Sequence, residues 1–577
     1  MRHIKVKPLC IAIGLAFASS ASAATIDFSG TNFYMKFLDG NQIGAPSGSI
    51  DTASGGDQGQ FTEMNLIFKS TISPQVEAGG RIQSRSSAAY WTEFGGFGNE
   101  GTVANNSVNH QKFMKLRGAY VELTPGYSWL NNVRIGTSDW GMFDPFTVGK
   151  VRYIDRDNYN GLYFKGPMAA GSTWEFAHIS LPSYLQFNWG NGAACCSTDN
   201  TQYNEAVNIV QFKMPVGGTK LAASYQSFID HTLDTTANTF TGVNTMGIYK
   251  NTVLALKAAS SLTNSLDLRG AYYWSSSDPS SGIIGQSWGN TPAGYISDSA
   301  IKLDADVTQT PIDGLAFNFQ YFNIGAGYNS VVAARRESDV LLTEGSEAAW
   351  YNWGQAIWSG GATSDYTQSA STRPVTDNAF MDFNESPAES VVGWKGLTAL
   401  AKLDVANSPM SLELTRVGYN NNWQSYAGPL SNFYAVNQDR TTNIMAFKLN
   451  HNFAVMGGLD TNLKFKRVDD KDGMDVTTAA DDRKVLDNGI TLSAGNQLLS
   501  QLYGTLSYGR YIRDITVGGV EHNNSKSIYS VKLAYNLPGF EVGMLTQWIV
   551  GAGDPAENGT SLDIKQYRMK TYAQVNF

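Results

Sequence analysis

The chain ends in Gln566-Tyr567-Arg568-Met569-Lys570-Thr571-Tyr572-Ala573-Gln574-Val575-Asn576-Phe577. Every second residue falls on one face: Tyr567, Met569, Thr571, Ala573, Val575 and Phe577. Between them stand Gln566, Arg568, Lys570, Tyr572, Gln574 and Asn576. Side chains of a β-strand alternate between the two sides of the sheet, so this period of two predicts a strand with one apolar and one polar face. Such a strand suits a sheet with lipid on one side and water on the other. In lipid every backbone N–H and C=O must be paired, so a sheet spans a membrane only when it closes on itself.

The same alternation recurs upstream. Phe33, Met35 and Phe37 share a side of a first segment at about 25–38, and Met64, Leu66 and Phe68 share a side of the next. Ile301, Leu303, Ala305 and Val307 oppose Lys302, Asp304 and Asp306. Leu315, Phe317, Phe319 and Tyr321 oppose Asn318 and Gln320. Met445, Phe447 and Leu449 oppose Lys448 and Asn450. Turns marked by Pro or Gly stand at Ser73-Pro74, Thr124-Pro125-Gly126, Pro215–Gly218, Thr310-Pro311, Asn407–Pro409 and Asn536–Gly539. The connections between these hairpins are long and polar. Short turns on one rim and long loops on the other predict an all-β, antiparallel up-and-down barrel. The tally of segments is 22; the pair at 485–496 and 501–512 has the weakest pattern, which leaves 16 to 20 open.

The N-terminus carries a second expectation. Arg2, Lys5 and Lys7 precede the apolar run Leu9–Ala18, and Ala21-Ser22-Ala23 is a small-residue cleavage site. Residues 1–23 therefore read as a secretory signal peptide, with an apolar run too short to span a membrane as a helix, and 24–577 as a single barrel domain. Of the 577 residues 42% are apolar and 12% aromatic, with 58 Gly, the composition of half-wet strands joined by turns. The net charge of −8 makes nucleic acid an unsuitable partner. Outside the signal only Cys195 and Cys196 remain, so no disulfide framework is expected.

The terminal strand resembles the closing strand of bacterial outer-membrane β-barrels, which alternates in this way and ends in Phe. The resemblance implies that Tyr567, Met569, Ala573, Val575 and Phe577 form the signal read by the barrel-assembly machinery. A second stretch resembles the strand–loop–strand of the porin-like superfamily: Val133-Arg134-Ile135-Gly136, then Thr137 to Phe146, then Asn158 to Pro167. In porins the loop at this place folds into the pore and narrows it. Trp140 and Phe143, in a loop otherwise facing water, need burial against the wall, which agrees. The resemblance makes Asp139, Asp144, Lys150, Arg152, Asp155, Arg156 and Asp157 constriction candidates, with Arg81, Arg85, Lys115, Arg117 and Arg134 as wall partners. Opposed charges across a narrow pore set up a transverse field that selects solutes. The bland alternative for each is a solvated loop or lumen charge.

A long extracellular insertion at 327–393 holds Trp350, Tyr351, Trp353 and Trp358 and reads as a packed lid. The acidic loop with Asp469, Asp470, Asp472, Asp475, Asp481 and Asp482 fails the EF-hand spacing and reads as a solvated tip, or as a loose divalent site toward lipopolysaccharide. No metal site and no cofactor are expected: there is no Cys-x-x-Cys-His, no His-Glu-x-x-His and no Gly-x-Ser-x-Gly.

The expectation is thus a non-enzymatic, porin-like channel of the bacterial outer membrane passing small hydrophilic solutes or ions by diffusion. Its partners are outer-membrane lipid, lipopolysaccharide and the assembly machinery, as a homotrimer or a monomer. The acidic balance points weakly to cations. Two alternatives stand beside it. One is a structural barrel that sheaths or docks an electron carrier or a polysaccharide-export partner. The other is a barrel-embedded lipid hydrolase, which needs a Ser–His pair on the lipid-facing wall; His451 shares the phase of Met445, Phe447 and Leu449.

Overall fold

The computed structural model describes residues 32–43, 58–88, 110–138, 140–148, 160–181, 205–230, 249–279, 296–325, 328, 330, 333, 340–343, 391, 393–406, 408–420, 441–472, 483–517, 520–553 and 562–576. Within them lie 22 strands: β1 (Asn32–Ile43), β2 (Gln58–Ser73), β3 (Val76–Ala88), β4 (His110–Leu123), β5 (Asn132–Thr137), β6 (Asn160–Pro167), β7 (Thr173–Leu181), β8 (Glu205–Val216), β9 (Thr219–Asp230), β10 (Tyr249–Thr263), β11 (Leu266–Pro279), β12 (Ile296–Val307), β13 (Leu315–Ile324), β14 (Trp394–Val405), β15 (Ser408–Tyr419), β16 (Thr441–Phe453), β17 (Leu459–Asp472), β18 (Arg483–Leu499), β19 (Leu502–Val517), β20 (Val520–Leu537), β21 (Phe540–Gly553) and β22 (Leu562–Asn576). Each pairs antiparallel with its sequence neighbours. β1 also pairs with β22, from Tyr34↔Asn576 to Ile43↔Tyr567, so the sheet closes.

Closure explains two departures from the sequence pattern. The first strand runs to Ile43 instead of stopping near Leu38, because its ladder length is set by β22 beside it and not by its own apolar alternation. Residues 24–31 lie outside the described residues. The pair with the weakest pattern forms two long strands, β18 and β19, in register from Arg483↔Val517 to Leu499↔Leu502. Their inner positions are small or polar (Gly489, Thr491, Ser493, Ser507, Gly509), while Ile490, Leu492, Leu506 and Tyr508 stay exposed on the outside.

The two faces follow from register, because residues paired across strands point to the same side. Leu256, Tyr272 and Ile301 form one cross-strand row, and Leu303, Tyr321 and Leu397 another; all six are exposed. This is the apolar outer belt. The opposite phase carries Lys257, Arg269, Asp304, Gln320, Thr398 and Glu413, the inner, polar wall. The last strand obeys the same phase: Ala573 is in register with Val542, outward, while Tyr572 is buried and donates to Glu541 Oε1 at 2.5 Å. A circular barrel of this strand number is about 40 Å across between backbones, from strand spacing and usual tilt. A lumen that wide needs material inside it to discriminate between solutes.

The wall is lowest at β5 and β6, and β4 meets β5 only over Tyr120–Leu123. There the chain leaves the sheet for the lumen. Gly136 makes that exit possible. Its φ is +108°, and a Cβ at this position stands 2.1 Å from the carbonyl oxygen of Ala119. Beside it Arg134 Nε donates to Thr137 O at 2.9 Å, and Thr137 Oγ1 donates to Ala119 O at 3.3 Å. Gly136→Ala is expected to cost about 2–3 kcal/mol through backbone strain. The measurement is the temperature at which the folded barrel loses its fast-migrating form on a semi-native gel, which should fall.

Candidate functional site: a lumen held narrow by two inward segments

Residues 138 and 140–148 lead from β5 to the far wall made by β10–β13. It begins with a 3-10 turn at Trp140–Met142, and Trp140, Phe143, Phe146 and Val148 are buried. Asp144 organises the turn and fastens it. Its Oδ1 accepts from the amide of Phe146 at 2.9 Å, and its carbonyl accepts from the amide of Val148 at 2.8 Å. Its Oδ2 accepts from Lys257 Nζ at 2.9 Å and from Tyr273 Oη at 3.0 Å. Phe146 then stacks on Tyr273 with centroids 4.8 Å apart. A carboxylate taken out of water requires such partners, and here both come from the wall.

Residues 328, 330 and 340–343, early in the long insertion, form a second inward group, and Tyr328 and Ser330 press on the first. Tyr328 donates to the carbonyl of Phe146 and Ser330 to that of Thr147, each at 2.9 Å. Burial pushes the Tyr328 hydroxyl well above its ordinary range, with the Asp144 charge adding to it, so it remains a donor across physiological pH. Further along, the Leu342 amide donates to Gln320 Oε1 at 2.7 Å, and Thr343 Oγ1 donates to the buried Glu413 at 2.6 Å. Phe146, Tyr328, Val340, Leu341, Phe322 and Trp394 belong to one buried apolar cluster. That cluster sits on the inner face of the wall, inside the barrel, where an open pore would have water.

Of the residues singled out from sequence, Asp144 is thus a latch between loop and wall. Arg134 lies on the inner face, 3.7 Å over the Tyr120 ring, and is paired with Glu122 at 3.2 Å. Arg81 lies on the inner face opposite Ile67 and Gly118. Arg85 and Lys115 occupy inner register positions opposite Glu63 and Gln83, and Arg117 is the extra residue of a β-bulge; their side chains lie outside the described residues. Asp139, Lys150, Arg152, Asp155, Arg156, Asp157, Cys195, Cys196, Trp350, Tyr351, Trp353, Trp358 and Phe577 also lie outside them, as do the side chains of Tyr567 and Met569.

Sequence reasoning passed over the charges on the opposite wall. Between β2 and β12 several inner carboxylates are met by cations: Lys69–Glu77 at 2.6 Å, Lys213–Glu175 at 3.0 Å and Arg269–Asp306 at 2.6 Å. On β14–β17 the balance changes. Lys402, Ser411, Lys448 and Lys464 form one cross-strand row, with Lys448 directly opposite Lys464. Lys466 lies one inner position higher. Nearby, Glu413 accepts from Thr343 and Thr415 and lies in the field of Lys466, Asp470 accepts from Thr442, and Asp404 stands two residues beyond Lys402 toward the short turn. This lysine row lies on the short-turn side of the level where Thr343 reaches Glu413, so a solute passing the inward segments next meets positive charge.

On the outer face near the short turns, Ser408 Oγ lies 2.5 Å from His451 Nδ1. The His451 ring meets Phe453 edge-on at 4.1 Å, and its Nε2 has no hydrogen-bond partner among the described residues. A hydrolytic base needs a third group to orient it, and none of the described residues is placed there. Among the described residues no cluster of His, Cys, Asp and Glu is arranged to hold a metal ion.

No protein-family profile and no curated protein sequence matches the chain. Solved structures do align with it along nearly its whole length. The P pilus usher (PapC) translocation pore is 9% identical, covering 94% of this chain and 99% of that one with a TM-score of 0.35. OccK1 (OpdK) of Pseudomonas aeruginosa is 9% identical over 95% and 99%, TM-score 0.33. OccAB2 of Acinetobacter baumannii is 8% identical over 95% and 98%, TM-score 0.32.

Proposed function

We propose that the protein is an outer-membrane channel through which small hydrophilic solutes diffuse without energy coupling. The observation that carries this reading is a closed barrel with an apolar outer belt and a charged inner wall, narrowed by segments that enter its own lumen. A merely structural barrel has no use for a built-in constriction faced by lysines. The channel does no chemistry. It selects by the width left between these inward residues and the part of the wall they do not cover, and by the field along that path. The lysine row supports a preference for anions, against the weak cation preference that overall charge suggests. The test is swelling of liposomes that contain the purified protein. Small sugars and monocarboxylates should enter at rates that fall with size, the anions faster than neutral solutes of equal size. Liposomes that do not swell with any solute contradict the reading.

The Ser408–His451 pair favours a second reading, a lipid hydrolase, strongly enough to deserve its own check. On the channel reading Ser408→Ala leaves permeation unchanged, and a fluorophosphonate probe leaves Ser408 unlabelled. Stoichiometric labelling of Ser408 would move the assignment to the hydrolase.

A further inference from the structure

The outer face from β10 to β17 is concave. A single cavity of about 1110 Å³ touches outward side chains of eight consecutive strands, which a convex wall does not allow. Its floor is apolar, with Leu268, Leu303, Phe319, Leu397, Leu414 and Met445. Its end away from the short turns is not. On β15 the outward phase runs Met410, Leu412, Leu414 and then Arg416; on β17 it runs Leu463, Phe465 and then Arg467. Both arginines are exposed and border the cavity. They flank β16, since Arg416 is in register with Asn443 and Arg467 with Met445. Strand spacing and the two-residue offset put their Cα atoms about 12 Å apart, and two guanidinium groups can reach toward one headgroup from there.

Neither arginine has an ion-pair or hydrogen-bond partner among the described residues. Among the described residues the one outward carboxylate bordering the cavity is Asp469, in the Arg416–Asn443 row; its Oδ2 meets Lys471 at 3.6 Å and its Oδ1 is buried without a hydrogen-bond partner. Two guanidinium groups at the upper edge of an outward apolar hollow, neither bonded to the single carboxylate near them, lack what an arginine there requires, a bidentate anion. Phosphate supplies it, and acyl chains fit the hollow below.

We infer that this face is a lipid site, occupied by a phosphorylated, multiply acylated glycolipid of the leaflet on the long-loop side. Its phosphates lie on Arg416 and Arg467, and its acyl chains fill the hollow over β10–β17. The site rests on the membrane reading given above. It gives the concave wall a filler, and it backs from outside the strands that anchor Asp144 and Tyr328 from within.

The test is native mass spectrometry of the full-length barrel in detergent, titrated with bis-phosphorylated lipid A and with its dephosphorylated form. The phosphorylated lipid should bind at least tenfold tighter. Arg416→Gln with Arg467→Gln should abolish that difference, because only the phosphate contacts are removed. Leu397→Trp, which fills the hollow and leaves both arginines in place, should weaken both lipids alike. A semi-native gel confirms that each variant is a folded barrel. Equal binding of the two lipids by the wild type overturns the inference, as does a preference that survives the double Arg variant. A dimer seated on this face and unaffected by lipid overturns it too and assigns the hollow to a second copy. A chain that fails to insert into bilayers at all is a different failure, and it removes the membrane reading itself.

Discussion

Replacing Lys402, Lys448 and Lys464 by Glu should reverse the sign of the zero-current potential measured across a bilayer with a salt gradient. The three lysines lie in one row on β14, β16 and β17, with Lys448 and Lys464 directly opposed in register. Like charges facing each other across a strand pair weaken a sheet, so their presence marks a field and not a stabilising device. An anion passing at about 7 Å gains roughly 0.6 kcal/mol from each lysine in water. Screening at physiological salt cuts the sum to under about 1 kcal/mol, which is still roughly a threefold preference for anions. The triple Gln variant should lose most of it. The triple Glu variant, with Lys466 still present one position higher, should favour cations. An unchanged potential in both would mean that the path for ions does not run along this wall.

Cutting the loop latch should widen the pore. Asp144 is tied to Lys257 and Tyr273 and turns the loop so that Phe146 stacks on Tyr273. Asp144→Ala leaves Lys257 without its partner, at a cost on the order of 3 kcal/mol for a largely buried pair. Phe146→Ala removes a buried ring, which costs about 3–5 kcal/mol more. At the tip of the segment only the bonds from Tyr328 and Ser330 to the backbone of 146–147 remain, while Trp140 and Phe143 stay packed near β6, so the tip can leave the far wall with its base still held. The double variant should show about twice the mean conductance, with flickering between levels as the loop detaches and returns. Loss of the folded barrel is not expected, because the wall strands keep all their ladder bonds. A conductance equal to wild type would show that these segments do not form the narrowest point.

The barrel itself is legible in the sequence, for a physical reason. An apolar outer belt over a polar inner wall imposes a period of two, plain in Tyr567 to Val575 or Ile301 to Val307. The interior is less so. Asp144 meets Lys257 and Tyr273 across 113 and 129 residues, and nothing local marks those partners. Tyr328 and Ser330 act through hydroxyls on backbone carbonyls, a contact with no composition signal. The lysine row needs the register of three strands at once, and a slip of one residue would send a lysine to the lipid face. Arg416 and Arg467 did leave a trace. Each is the first cation to continue an outward apolar phase, a break in pattern that can be read without coordinates. The long-loop charges from Lys150 to Asp157 belong to the same proposed constriction as Asp144, and their roles stay with that proposal.

The central claim is that water runs through this barrel past the two inward segments. Single-channel recording of the purified, refolded protein in a planar bilayer tests it most directly. Discrete, long-lived open steps are expected, with an anion-selective reversal potential and a larger step in the Asp144→Ala/Phe146→Ala variant. A barrel that inserts, is folded by the gel criterion and passes no current would contradict it, and would leave the structural, partner-docking role as the better description.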